Sequence, residues 1–165
     1  MKTPKKRADG TETSTHPIVF RKIGDLEPWE GNPRDHNPEG TRMLADAIRK
    51  RGWTNPILVN DKGVSIAGPG RRLAALEIGG PDYEVPVIVF PGLETGGVEF
   101  VAMAVADNQL ATKSEWNLGA LFKQLDLVRN HPVHDLPSMG FSLDNLNDLK
   151  TKFGKAMDEG LNTRK

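Results

Sequence analysis

Glycine and proline fall mostly between the apolar runs of this chain, and that punctuation decides what it can fold into. Seventeen glycines and twelve prolines are spread over 165 residues, so no apolar periodicity continues far before a turn former interrupts it. Ile18-Val-Phe-Arg-Lys-Ile reads as a short strand, followed by a turn-rich loop over 24–34. Asn37-Pro38-Glu39 then supplies an N-cap, a proline at the first helical position and an acid in the first turn, which together start a helix. Met43, Leu44, Ala47, Ile48 and Arg51 follow at helical spacing, and Gly52 stands at the C-cap, so this helix runs over Pro38–Arg51. Pro56–Asn60 and Val64–Ala67, joined by Asp61-Lys62-Gly63, read as a hairpin.

The second hairpin strand runs into Gly68-Pro69-Gly70, which opens a helix over Arg71–Ile78, stopped by Gly79-Gly80-Pro81. Val85–Phe90 is a further strand, and Pro86 places it at an edge or at a strand start. Val98–Asn108 reads as a helix apolar enough to be largely buried. Leu118, Leu121, Phe122, Leu125 and Val128 mark a fourth helix, and Leu143, Leu146, Leu149 and Phe153 share a face of a fifth that begins at Ser142. The expected architecture is α+β: a small mixed sheet of about four strands, helices mostly on one side, and a C-terminal helical extension. Its divisions are a disordered basic tail over 1–16, the α+β domain over 17–113, the extension over 114–153 and a flexible basic tail over 154–165. Deleting residues 1–16 is expected to shift the melting temperature by no more than about a degree or two, which thermal denaturation of the shortened chain checks.

Charge narrows the function. Twenty-two basic and 22 acidic residues cancel, so the chain cannot coat nucleic acid by bulk charge, and phosphate binding must come from a local cluster. Residues 114–149 hold two basic and five acidic groups, which suits a protein contact better than a DNA face. Cysteine is absent, which removes disulfides, thiolate metal sites and cysteine catalysis. No apolar run approaches the ~20 residues that a membrane span needs, and the basic start leads into no apolar segment, so a cytoplasmic protein is expected.

Three segments are candidate sites. Gly68-Pro69-Gly70-Arg71-Arg72 lies between a strand and a helix, where glycines admit a ligand and helix N–H groups with paired guanidinium forks suit an anion. The same residues also fit a tight turn with solvated arginines. Asn32-Pro33-Arg34, flanked by Glu30, Asp35 and His36, is a polar loop or a routine turn. Asp107-Asn108-Gln109 ends an apolar helix, either as a plain exit or as hydrogen-bonding groups facing a pocket. No metal site is expected: the best histidine spacing, His131-Pro-Val-His134, has only Asp135 beside it.

The order of these pieces is specific where each alone is not. Asp25-Leu-Glu-Pro leads to Asn32-Pro33-Arg34, then come a helix ending Arg-Lys-Arg-Gly, Pro56-Ile-Leu-Val, Gly68-Pro-Gly-Arg with Leu-Ala-Ala, and Val85-Pro-Val-Ile-Val. Over about residues 18–150 this resembles the ParB N-terminal and sulfiredoxin superfamily. It is most similar to the ParB-like domain of phages and prophages, often fused to DNA methylases. Ala106-Asp-Asn-Gln-Leu-Ala111, Glu115-Trp116 and Met139-Gly-Phe-Ser-Leu-Asp-Asn-Leu carry that closer likeness.

The resemblance implies a nucleoside triphosphate, CTP or ATP, with Mg2+ as its companion ion. Its phosphates would lie at Gly68, Gly70, Arg71 and Arg72, with Asn32, Arg34 and Asn108 converging on them. Sulfiredoxin chemistry is excluded, because the family's cysteine is missing. Pro69 stands where many phage relatives carry His or Glu, and proline offers neither a side-chain donor nor a backbone N–H. No helix-turn-helix, dimerisation or methylase segment is visible. The implied function is a nucleotide-binding, DNA-associated accessory protein in modification, partition or packaging. One alternative is a nuclease or phosphotransferase, for which Glu30 is the nearest candidate base. Another is an interaction module with a decayed nucleotide site, using the C-terminal helices.

Overall fold

The computed structural model describes residues 16–110, 112–133 and 135–162, with side chains as far as residue 152 other than that of Ser138. Four strands form one sheet: β1 (Ile18–Lys22), β2 (Ile57–Asn60), β3 (Ser65–Ala67) and β4 (Glu84–Phe90), in the order β1-β4-β2-β3. β4 runs antiparallel to β1 and parallel to β2, and β2 is antiparallel to β3. The parallel pair needs a crossover, which α2 (Pro69–Gly79) supplies.

β4 is an interior strand, flanked by β1 and β2. Pro86 is tolerated because β2 pairing begins only at Val87, while the β1 register covers Glu84 to Ile88. Pro86 thus sits where β4 has a neighbour on one side alone, and the expectation of an edge holds for that residue but not for the strand.

Strand alternation divides the core into two faces. Ile57, Val59, Val85 and Val87 join Ile23, Leu26 and Ala75 on one side. Leu58, Ile66 and Phe90 join Val64, Phe100 and Ala104 on the other. α2 covers the first face, and α1 (Pro38–Arg51) packs on α2 through Ala45, Ile48 and Ala74. α3 (Val98–Leu110) lies on the second face, so the helices are divided between two sides rather than gathered on one. The apolar content of α3 also misled on burial: only Phe100 and Ala104 are buried, while Val98 is 87% exposed and Leu110 is 70% exposed. A helix on one face of a small sheet covers only the stripe that meets it.

The capping expectations hold. The Asn37 side chain accepts from Gly40 N at 2.6 Å, Pro38 opens α1, and Gly52 closes it with φ of 74°. The first strand ends one residue early, because Ile23–Asp25 forms a 3-10 turn that drives Ile23 and then Leu26 into the core.

α4 (Leu118–Val128), a 3-10 turn at Pro137–Met139 and α5 (Leu143–Asn162) make a unit around Leu121, Leu125, Leu136 and Leu146. α5 continues past Phe153, through most of the stretch expected to be a flexible tail. Lys155, Ala156, Met157 and Glu159 are strong helix formers and sustain it. The expected tail over 1–16 lies outside the described residues except for His16, whose ring sits 4.4 Å from that of Phe90.

Candidate functional site

The strand-to-helix turn after β3 is built by Gly68, which caps α2 in the left-handed region at φ of 93°. A side chain there would be strained, and its Cβ would lie 2.9 Å from Arg71 Nη2. Pro69 takes the first helical position, where its missing N–H costs no helical bond. The first intrahelical bond is Arg72 N to Gly68 O at 3.0 Å, so the N–H groups of Gly70 and Arg71 have no acceptor within the helix. At Gly70 a Cβ would meet His36 Nδ1 at 3.2 Å. The His36 ring therefore rests against the first turn of α2, which a lone histidine in a polar loop did not announce.

The two arginines part company. Arg72 Nε donates to Leu26 O at 2.8 Å, and Glu27 beside it offsets the burial that lowers the guanidinium pKa. Glu27 N and O bond in turn to Gly63 O and Ser65 N, so Arg72 ties the turn to the strand-like segment along β3. Arg71 points elsewhere. Its Nε is buried with no hydrogen-bond partner among the described residues, and burial holds its pKa below the usual arginine range, with Asp107 of α3 opposing.

Arg71 lines a cleft of about 510 Å³. The other walls are the α1 residues Met43, Leu44, Ala47, Ile48 and Arg51, the link Gly52-Trp53-Thr54-Asn55, and Met139-Gly140 of the helical extension. A smaller hollow of about 210 Å³ adjoins it, sharing Gly40 and Leu44 and lined also by His36 and Gly70. Arg71 thus borders one part of the cleft beside the first turn of α2, and the remainder mixes apolar side chains with Arg51, Thr54 and Asn55. That mix fits a ligand with an anionic part and a flat ring, within the usual size range of small-molecule sites.

The remaining expected residues lie off this cleft. Asn32 is spent on its own turn: its Nδ2 donates to Arg34 O at 2.9 Å and its Oδ1 accepts from Arg34 N at 3.4 Å. Arg34 is exposed, and Glu30 is exposed in the turn after Trp29. Asn108 is half-buried on α3, beside the Asp107 that acts on Arg71. Among the described residues no three His, Asp or Glu side chains gather as a metal site would require. The cleft residues of α1 were visible in the sequence only as residues at helical spacing. They make a stripe wider than α2 covers: Ala45 and Ile48 are buried, while Met43, Leu44 and Ala47 are only half-buried.

Comparison with known proteins settles the family. The ParB-like nuclease domain-containing protein YnaK of Escherichia coli (strain K12) is 46% identical over 76 residues, which span 46% of this chain and 85% of that protein. The chain belongs to the ParB-like domain family. No family model matches it. The C-terminally truncated ParB from Caulobacter crescentus, solved in complex with CTP-gamma-S, superposes with a TM-score of 0.63 and 19% identity, covering 81% of this chain and 76% of that one. A Pnob8-like ParB N-domain gives a TM-score of 0.49 and 16% identity, covering 72% and 50%. The superposition on the Caulobacter ParB shows that the α+β architecture expected from sequence is a ParB fold.

Within that ParB-like fold the separation of the arginines makes a direct prediction. Arg72→Ala should lower stability by about 1–2 kcal/mol through the lost bond to Leu26 O, whereas Arg71→Ala, at a residue whose Nε makes no such bond among the described residues, should not show that loss. Denaturant titration of the two variants checks the contrast.

Proposed function

We propose that this chain binds a nucleoside triphosphate, CTP or ATP with its Mg2+ ion, in the cleft between α1 and the first turn of α2. The observation that carries the reading is Arg71, a half-buried side chain that borders that cleft and whose buried Nε has no hydrogen-bond partner among the described residues. A charge kept in such a place costs stability, and an anionic ligand offsets the cost. The phosphates would meet Arg71, Gly70 N and the His36 side of the turn. Base and sugar would lie against Leu44, Ala47 and Trp53. The CTP-gamma-S complex of the Caulobacter ParB neighbour supports this choice of ligand class.

The reading extends to a cytoplasmic, DNA-associated accessory protein of phage or prophage origin, acting in DNA modification, partition or packaging. Its basic residues outside the domain (four in 1–16 and five in 150–165) would give modest, salt-dependent DNA contact. Calorimetric titration of the full chain with CTP, ATP and ADP, with and without duplex DNA, tests it. Saturable binding of a triphosphate is the expected result, and no heat with any nucleotide overturns it.

A further inference from the structure

The nucleotide cleft has a wall that the strand-to-helix turn does not supply. Met139 and Gly140 belong to the helical extension, yet they line the same cleft as Trp53 and Arg71. The extension has its own apolar core, separate from both faces of the sheet. Its packing on the domain runs from the 3-10 turn at Pro137–Met139 onto α1. At that contact Lys50 Nζ lies 2.8 Å from Asp135 Oδ2, and the two side chains are 32% and 41% exposed. A unit with its own core and a narrow attachment docks and undocks at modest cost. A ligand that touches both sides binds the docked arrangement better and so favours it.

We infer that the extension completes the nucleotide site: Met139 and Gly140 pack against the base and sugar end, and the Lys50–Asp135 pair sets affinity by keeping the extension docked. This rests on the nucleotide reading above. It assigns the extension a part in choosing ligands with a nucleoside head over bare polyphosphate. The two then contribute separately, Arg71 to the anion and the extension to the head.

The test compares wild type, Lys50→Glu, Asp135→Lys and the double charge swap, each as the full chain. Each is titrated with CTP, ATP and inorganic tripolyphosphate, and hydrogen exchange is followed in α4 and in α5 up to residue 152. Each single variant should weaken triphosphate binding about 5- to 10-fold, with the swap restoring most of it. Tripolyphosphate should change less than about twofold, because it has no base or sugar for Met139 and Gly140 to hold. The single variants change net charge in opposite directions, so a purely electrostatic effect would move them oppositely, and that outcome overturns the inference. Unchanged nucleotide affinity in both single variants overturns it alone and leaves the nucleotide reading standing. A wild type that binds no triphosphate overturns both. Slower exchange in the extension on adding CTP or ATP is the expected companion result, and exchange that nucleotide leaves unchanged counts against the inference.

Discussion

Arg71→Ala should weaken nucleotide affinity about 30- to 150-fold while leaving the fold as stable as before or slightly more so. The affinity loss follows from removing a charge-assisted contact to phosphate, worth about 2–3 kcal/mol in a partly desolvated site. The stability half follows from the free protein. There the guanidinium is partly desolvated, its Nε has no hydrogen-bond partner among the described residues, and the Asp107 charge offsets part of the burial. Removing such a group relieves a cost. Calorimetry and thermal denaturation of the same sample check the pair of results. A variant that loses both binding and several degrees of melting temperature would show Arg71 to be a structural residue. The contrast with Arg72 sharpens the comparison, since Arg72 has its acceptor at 2.8 Å and should show the reverse pattern.

Asn60→Leu is the substitution expected to cost the most stability. Asn60 is fully buried at the end of β2, and its side chain makes three bonds. Nδ2 donates to Leu93 O at 3.1 Å and to Thr95 Oγ1 at 2.9 Å, and Oδ1 accepts from Val64 N at 2.9 Å. Leucine has similar bulk but leaves the Val64 N–H and the Leu93 carbonyl without that partner. The cost is about 2–4 kcal/mol, or about 5–15 °C in melting temperature for a chain of this length. The residue also fixes the loop that leads into α3, so Asp107 should lose its place near Arg71. Thermal denaturation measures the first effect. If the melting temperature fell by less than about 2 °C, the three bonds would be marginal and this account of the loop wrong.

How much of this could be read from the residues alone depends on how local the information is. The bounds of α1 were legible because Asn37, Pro38 and Gly52 each act within one turn of the helix. The hairpin was legible because Asp61-Lys62-Gly63 sits between two β-rich runs. The Gly68–Arg72 segment was legible as a strand-to-helix turn, but not the divergence of its arginines: Arg72 finds a carbonyl 46 residues away in sequence. The cleft's second wall was hidden for the same reason. Met139 and Gly140 reach α1 only through tertiary packing, and no period or spacing marks that approach. The exposed flank of α3 was misjudged because an all-apolar helix and a half-covered one share one composition.

The position of β1 has a consequence during synthesis. The strand nearest the start of the described chain pairs with β4, Ile18 against Ile88 and Lys22 against Glu84, so it has no partner until a much later stretch has been translated. Until then Ile18, Val19 and Phe20 are a bare apolar strand on a growing chain, and even in the finished fold Ile18 and Phe20 remain 57% and 66% exposed. A product stalled or truncated before β4 would leave that strand unpaired and deprive β2 of its parallel neighbour as well, a form prone to associate with its neighbours. Yield in a heterologous host should therefore depend more on uninterrupted translation through Phe90 than on the stability of the completed protein.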